Sequence, residues 1–265
     1  MHIYRCLSQT GEVVYGTALT QGKIRRVTGD VLTRPVKTDE VIAVEKLLPP
    51  VAPAAIICIG LNYREHARET NMKIPEYPVV FMKNPAAVIG HEADIRLPDS
   101  CRDPLQVDYE VELGVVIGKT ALNVSEADAL SHVAGYTIAN DVSARTWQMK
   151  AGGHQWVRGK SFDTFCPVGP ALVTRDEIPD PNQLAIQCRL NGQIMQQGHT
   201  SDMIFSVSQL IAYLSQDTTL LPGTLILTGT PSGVGFMRNP PIFLKPGDVL
   251  ELDIEQLGTL RNRVL

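Results

Sequence analysis

Residues 107–118 read Val-Asp-Tyr-Glu-Val-Glu-Leu-Gly-Val-Val-Ile-Gly, and their alternation decides how the rest of the chain is read. Asp108, Glu110 and Glu112 occupy every second position, with Tyr109, Val111 and Leu113 between them. Alternate side chains of an extended strand share a face, so the spacing predicts three carboxylates on one face and an apolar row on the other. Carboxylates that close repel, the more so against a low-dielectric wall. A hard divalent cation is an economical neutraliser, because such ions take oxygen ligands. The same alternation also suits an antiparallel strand whose acidic face meets water. The run continues straight into Leu113-Gly114-Val115-Val116-Ile117, which reads as strand buried on both faces and favours the cation.

Around this strand lie 265 residues, 44% of them hydrophobic, enough for one large domain with a small extra one. Lys and Arg total 24 and Asp and Glu 28, a net charge of −4, so nothing marks a nucleic-acid or anionic-membrane partner. No apolar run is long enough to span a bilayer. Met1-His2-Ile3-Tyr4-Arg5-Cys6 resembles neither a signal peptide nor an Arg/Ser-rich presequence. The expected compartment is therefore the cytoplasm, or the mitochondrion if a presequence was trimmed. Cys6, Cys58, Cys101, Cys166 and Cys188 are widely spaced without a C-x-x-C pair, which speaks for reduced thiols.

Residues 1–48 carry short alternating segments (Met1–Cys6, Glu12–Thr17, Lys23–Val27) and read as a small β unit. Leu48-Pro49-Pro50-Val51-Ala52-Pro53 is a stiff linker, which separates it from a unit over 49–265. There, strands are expected at Ala55–Gly60, Val79–Lys83, Ala87–Ile89, Val133–Ala139, Leu225–Thr228 and Val249–Ile254. Helices are expected over Arg64–Glu69, over Ser125–Val133 with Ser125 as N-cap, and over Ile204–Ser215. With 21 Gly and 18 Pro for turns, the fold class is α+β, mostly β. Ile117-Gly118-Lys119-Thr120 ends like a phosphate loop, but Leu113 stands where that motif needs Gly. The Gly-rich 228–235 segment lacks dinucleotide-fold spacing.

Three further features carry possible chemistry. Asp141 ends the apolar run Tyr136–Asn140, where it could be a third metal ligand beside Glu110 and Glu112, or an N-cap for the following turn. Lys160, after Gly159 and among aromatic residues, could offset the acids and stabilise an oxyanion; a solvated surface lysine is the alternative. His66 and Glu69, at i and i+3, could form an acid–base pair or an ordinary ion-paired helix face.

The words Gly60-Leu61-Asn62-Tyr63-Arg64-Glu65-His66, Asp108-Tyr109-Glu110-Val111-Glu112-Leu113, Asn140-Asp141-Val142-Ser143-Ala144-Arg145, Gly159-Lys160-Ser161-Phe162-Asp163 and Leu227-Thr228-Gly229-Thr230-Pro231 together resemble the fumarylacetoacetate hydrolase family over roughly 55–265. The resemblance implies a mixed β-sandwich roll, usually a homodimer. It implies Glu110, Glu112 and Asp141 as ligands of Mg²⁺ (or Mn²⁺), with Asp108 excluded. Lys160 would stabilise the oxyanion, and His66 and Glu69 would be a dyad on a lid. Arg64, Arg145, Gln148 and Thr230 would meet the substrate. Ile59-Gly60-Leu61-Asn62 lacks the extra acidic ligand of the founding hydrolases, which puts the chain in a three-acid branch.

Trp147-Gln148-Met149 and Pro240–Asp248 are most similar to oxaloacetate-handling members. The expected enzyme works on a short 2-oxo dicarboxylate through a metal-bound enolate, by tautomerisation or decarboxylation of oxaloacetate. The alternative is hydrolysis of acylpyruvates or fumarylpyruvate. The reading from another class is a non-enzymatic β-sandwich module whose cation, with Ca²⁺ favoured, is structural or recruits a ligand.

Overall fold

A computed structural model of the chain describes residues 1–151 and 153–265. Four strands come first: β1 (His2–Ser8), β2 (Val13–Thr20), β3 (Lys23–Thr28) and β4 (Val36–Leu48). β1 pairs antiparallel with both β2 and β4, β2 with β3, and β3 with β4. The strands thus close on themselves around Cys6, Val14 and Ile24. Gly16 is required inside this ring, since a Cβ there would collide with Ile24. Through His2 and Ile3, β1 also joins a strand of the main body.

In that body, β5 (Ile56–Gly60) leads into α1 (Arg64–Glu69) and returns as β6 (Val79–Lys83). The short strands β7 (Val88–Ile89), β8 (Asp94–Ile95) and β9 (Val107–Asp108) precede β10 (Val111–Ile117). Then come β11 (Val133–Asn140), β12 (Ser143–Ala144), α2 (Val157–Lys160) and β13 (Cys166–Thr174). β14 (Ala185–Leu190), β15 (Gln193–His199), α3 (Val207–Leu214), β16 (Leu225–Leu227), β17 (Val249–Ile254) and β18 (Gly258–Val264) complete the chain.

The larger sheet runs β2-β3-β4-β1-β13-β11-β10-β16-β5-β6, with β7 beside β13. A second sheet runs β15-β14-β17-β18-β8. β10, β11 and β13 face β14, β17 and β18 across one apolar core. The protein is a mostly β, α+β sandwich. β10 and β11 are buried along their whole length, the pattern of central strands covered on both faces.

Three local expectations change. The expected strand through Asp108 breaks: β9 ends at Asp108 and β10 begins at Val111. Over 125–133 there is only a single 3₁₀ turn, Ala129–His132. Ser125 Oγ accepts from Asp128 N (3.2 Å) and donates to Asp128 Oδ2 (2.7 Å), a side-chain turn that competes with helix. Pro85–Ala87 is likewise a 3₁₀ turn, capped by Asn84 Oδ1 on Ala86 N, so the strand there is Val88–Ile89 alone. The third expected helix forms as Val207–Leu214, with Ser206 and Gln209 in a reciprocal capping box.

All five cysteines are free and buried. Burial pushes the Cys6 thiol up to about 11 and the Cys166 thiol up to about 12. The native protein is therefore expected to expose no titratable thiol to an aromatic disulfide reagent near neutral pH, and the denatured chain all five.

Candidate active site

Backbone pairing brings distant acids together. β10 and β11 pair with Val111 opposite Asn140. Glu110 N donates to Asn140 Oδ1 (3.0 Å) and Asp141 N to Glu110 O (2.9 Å). Glu110 and Asp141 are thereby neighbours, and Glu112, one pleat further on, points to the same side. One carboxylate oxygen from each of Glu110, Glu112 and Asp141 lies within 4.8 Å of the others. All three residues are buried.

Asp108 stands apart. Its carboxylate accepts from Tyr109 N (2.9 Å), Gly235 N (2.8 Å), Phe236 N (3.0 Å) and Arg145 Nε (2.9 Å). The break after β9 turns it toward the 235–236 backbone, so its role is to hold that loop and Arg145. Asp141 does not cap the following turn: lysines take both of its oxygens, Lys83 Nζ at 2.5 Å and Lys160 Nζ at 2.7 Å. Lys160 also reaches Glu110 Oε2 at 2.7 Å. It is buried, which removes the surface-lysine reading. Gly159 lets it sit there, since a Cβ would fall 2.6 Å from Gln148 N.

Lys83 is a cation that no motif in the sequence singles out. A weaker signal exists: Phe81 and Lys83 share parity on β6 and both face inward, while Val79, Val80 and Met82 are exposed.

Four buried carboxylates (Asp108, Glu110, Glu112, Asp141) thus meet three buried cations (Lys83, Arg145, Lys160). Burial alone would raise Glu110, but Lys160 and Arg145 outweigh it and hold the carboxyl well below its ordinary range. Burial also works against the charge on Lys160, yet Asp141 and Glu110 carry its pKa above the ordinary value. Glu112 is the uncompensated acid. Its Oε2 accepts only the Gly229 N–H (2.7 Å) among the described residues. Burial first, then Asp141 and Glu110, push its carboxyl well above the usual carboxylate range. An all-oxygen donor set with one surplus negative charge fits a hard divalent cation.

The trio lines an open-mouthed cavity of about 600 Å³, its mouth included, with His66, Arg145, Gln148, Lys160 and Thr230 also on its walls. Much of the remaining lining is apolar: Ile59, Leu61, Phe81, Met149, Trp156 and Phe236. His66 Nδ1 lies 2.8 Å from Glu69 Oε2, and Glu69 Oε1 accepts from Gly233 N (2.8 Å). α1, which carries the pair, is docked. Asn62 Nδ2 donates to Phe205 O and Thr228 O, and Asn62 Oδ1 accepts from Phe205 N.

The residues expected to meet substrate fare differently. Arg64 is outside the cavity, donating to the carbonyls of Asp202 and Met203. Arg145 lines it, but its guanidinium is engaged by Asp108 Oδ2, Glu110 Oε1 and Gln148 Oε1, with Phe236 stacked 4.3 Å away. Since Gln148 Oε1 accepts from Arg145, the amide nitrogen is left for other partners. Thr230 Oγ1 donates to Val111 O (2.8 Å) and accepts from Gln196 Nε2 (2.7 Å), so its hydroxyl proton is already used.

A buried oxygen trio, a buried lysine and His66, whose imidazole meets the Glu69 carboxylate, thus line one cavity. Residues 55–265 match the family model described as "Fumarylacetoacetate (FAA) hydrolase C-terminal", and the chain belongs to that family of enzymes. It is 50% identical over 219 residues to the mitochondrial oxaloacetate tautomerase FAHD2A of Bos taurus, covering 83% of this chain and 69% of the relative. Against the "fumarylacetoacetate hydrolase domain-containing protein 2 homolog" of Dictyostelium discoideum it is 53% identical over 228 residues, covering 83% and 74%. Among solved structures it resembles a 5-carboxymethyl-2-hydroxymuconate delta-isomerase from Mycobacterium smegmatis: TM-score 0.86, 36% identity, 100% and 99% coverage.

Replacing Asp108 with Ala leaves Arg145 and two loop N–H groups without their buried acceptor. The expected loss of stability is about 3–5 kcal/mol, read as a shift of the urea midpoint at unchanged slope.

Proposed function

We propose that this enzyme interconverts the enol and keto forms of oxaloacetate at the Glu110–Glu112–Asp141 site. The observation that carries the proposal is the convergence of that trio, Lys160 and His66, itself paired with Glu69, on one cavity. The likeness to oxaloacetate tautomerases supports the choice of substrate.

The trio would hold Mg²⁺, with Mn²⁺ as a substitute. When bound, the cation supplies Lewis acidity toward a 2-oxo acid. Glu69, anchored by Gly233 N–H, accepts from His66 Nδ1–H and so fixes Nε2 as the basic nitrogen. In the keto-to-enol direction, Nε2 takes a proton from C3, the C–H electron pair forms the C2=C3 bond as the carbonyl π pair moves to the 2-oxo oxygen, and the imidazolium then gives that same proton to the oxygen; the reverse reaction retraces these steps. The Lys160 ammonium faces the charge that develops on that oxygen. Positioned acid–base help of this kind is worth about 10²–10⁴ in rate. The amide nitrogen of Gln148 offers a donor to a carboxylate of the substrate. The apolar wall of Phe81, Met149, Trp156 and Phe236 favours a second reading, a 2-oxo acid with an acyl arm and hydrolysis of its C–C bond.

A homodimer is part of the same proposal. The larger sheet ends on β6, which exposes Val79, Val80 and Met82 beside Ile74 and Tyr77; an apolar edge of that kind calls for cover. The relatives named as mitochondrial favour that compartment over the cytoplasm. Among the described residues no helix is long and apolar enough to cross a membrane.

Disappearance of the enol absorbance of oxaloacetate, followed with Mg²⁺ present, tests the activity. Wild type is expected to accelerate it. Glu112→Gln should abolish the acceleration, and Lys160→Met and His66→Ala should each lower kcat by about 10²-fold or more. A folded Glu112→Gln variant of normal rate would remove the trio from the chemistry.

Because Glu112 holds its proton well above the ordinary carboxylate range, a cation must displace that proton. Mg²⁺ affinity is expected to rise as pH climbs above the ordinary carboxylate range, with proton release on binding. Calorimetry in buffers of different ionisation enthalpy reads that release directly.

A further inference from the structure

We infer that the acidic trio is built to offer one oxygen per carboxylate, and that Lys83 is the positioning residue that makes Asp141 single-handed, selecting a small octahedral cation over Ca²⁺. This rests on the trio being a cation site, as proposed, and concerns which ion that site prefers.

Each acid has one oxygen held against a cation or N–H group fixed in the fold. Asp141 Oδ1 accepts from Lys83 Nζ at 2.5 Å. Glu110 Oε1 meets Arg145 Nη2 at 2.7 Å. Glu112 Oε2 accepts from Gly229 N at 2.7 Å. None of these donors is loose. Lys83 is 1% exposed, does not line the cavity, and gives a second hydrogen bond to Val142 O at 3.1 Å. Arg145 is held by Asp108 and Gln148. Gly229 has φ +97°, and a Cβ there would sit 2.8 Å from the Asn62 Cβ, so the approach of its N–H is set by backbone packing. The remaining oxygens of Asp141 and Glu110, Oδ2 and Oε2, both meet Lys160 at 2.7 Å. Lys160, on the cavity wall, therefore competes with a cation for the same two atoms, whereas Lys83 does not.

Three one-oxygen ligands leave half of an octahedron, the arrangement Mg²⁺ demands. Ca²⁺ takes six to eight oxygens and gains from carboxylates that bind through both. A carboxylate whose second oxygen is tied to a buried ammonium cannot make that gain. Glu110 and Glu112 are tied by groups with other structural duties. Lys83 has no other carboxylate partner among the described residues, so its removal frees Asp141 specifically.

The test is calorimetric titration of metal-free protein with MgCl₂, MnCl₂ and CaCl₂ in separate runs, on wild type and on Lys83→Met, with folding checked by thermal melting. Wild type is expected to bind Ca²⁺ at least about tenfold more weakly than Mg²⁺, and Lys83→Met to close that gap to within about threefold. Wild-type Ca²⁺ binding as tight as Mg²⁺ binding would overturn the inference and needs no variant to fold. So would a folded Lys83→Met protein with an unchanged Ca²⁺-to-Mg²⁺ ratio. If wild type bound none of the three ions, the cation reading itself would fall, and this inference with it.

Discussion

Surplus negative charge, buried where β10 begins and β11 ends, is the constraint on which the rest of this molecule turns. Four carboxylates in a water-poor interior would repel strongly without partners. The fold answers with three buried cations drawn from separate elements: Lys83 from the end of β6, Arg145 after β12 and Lys160 from α2. Close packing places them, as where Gly159 admits Lys160 against the Gln148 backbone. Breaking a buried pair of this kind costs far more than an exposed one. The acids, the cations and the strands that carry them therefore behave as one unit.

The balance is left one charge short, and the shortfall is localised on Glu112. A divalent ion held by the trio would offset that charge, displacing Lys160 from Asp141 Oδ2 and Glu110 Oε2 while the Lys83–Asp141 and Arg145–Glu110 pairs stay in place. The neighbouring loops serve the same centre. Residues 228–235 supply N–H groups to Glu112, Glu69 and Asp108 in turn, so one glycine-rich segment ties the acid trio, the imidazole pair and the Arg145 anchor together. The glycine spacing of that segment does not suit a nucleotide loop, and its actual work is as a strip of backbone donors.

Much of the site is legible in the sequence. Strand alternation marks Glu110 and Glu112, an acid at the end of an apolar run marks Asp141, and helical spacing marks His66 and Glu69. Alternation does not separate Asp108 from its neighbours, because the strand break at 109–110 arises from pairing with β12 and from the 235–236 backbone, neither visible in a local window. Arg64 stands in a motif word yet turns toward the carbonyls of Asp202 and Met203. Lys83 carries a parity signal, but a lysine ending a strand is so often solvated that parity alone does not single it out. In the fold, β13 escapes the sequence pattern because Pro167 and Pro170 argue against a central strand. The irregular β11–β13 register around residues 170–172 accommodates Pro170, while Pro167 lies in register with Ile89 of the short strand β7.

By itself the sequence determined the fold class, the family and the chemical character of the site, since periodicity, motif order and residue type are local properties that each survive reading in one dimension. Only the tertiary structure decided which charges meet. Lys83, Asp141 and Lys160 come from separate elements of the chain, and their contacts depend on sheet order and register. Electrostatic pairing in a buried site is a matter of a few ångströms, and no one-dimensional pattern carries that distance.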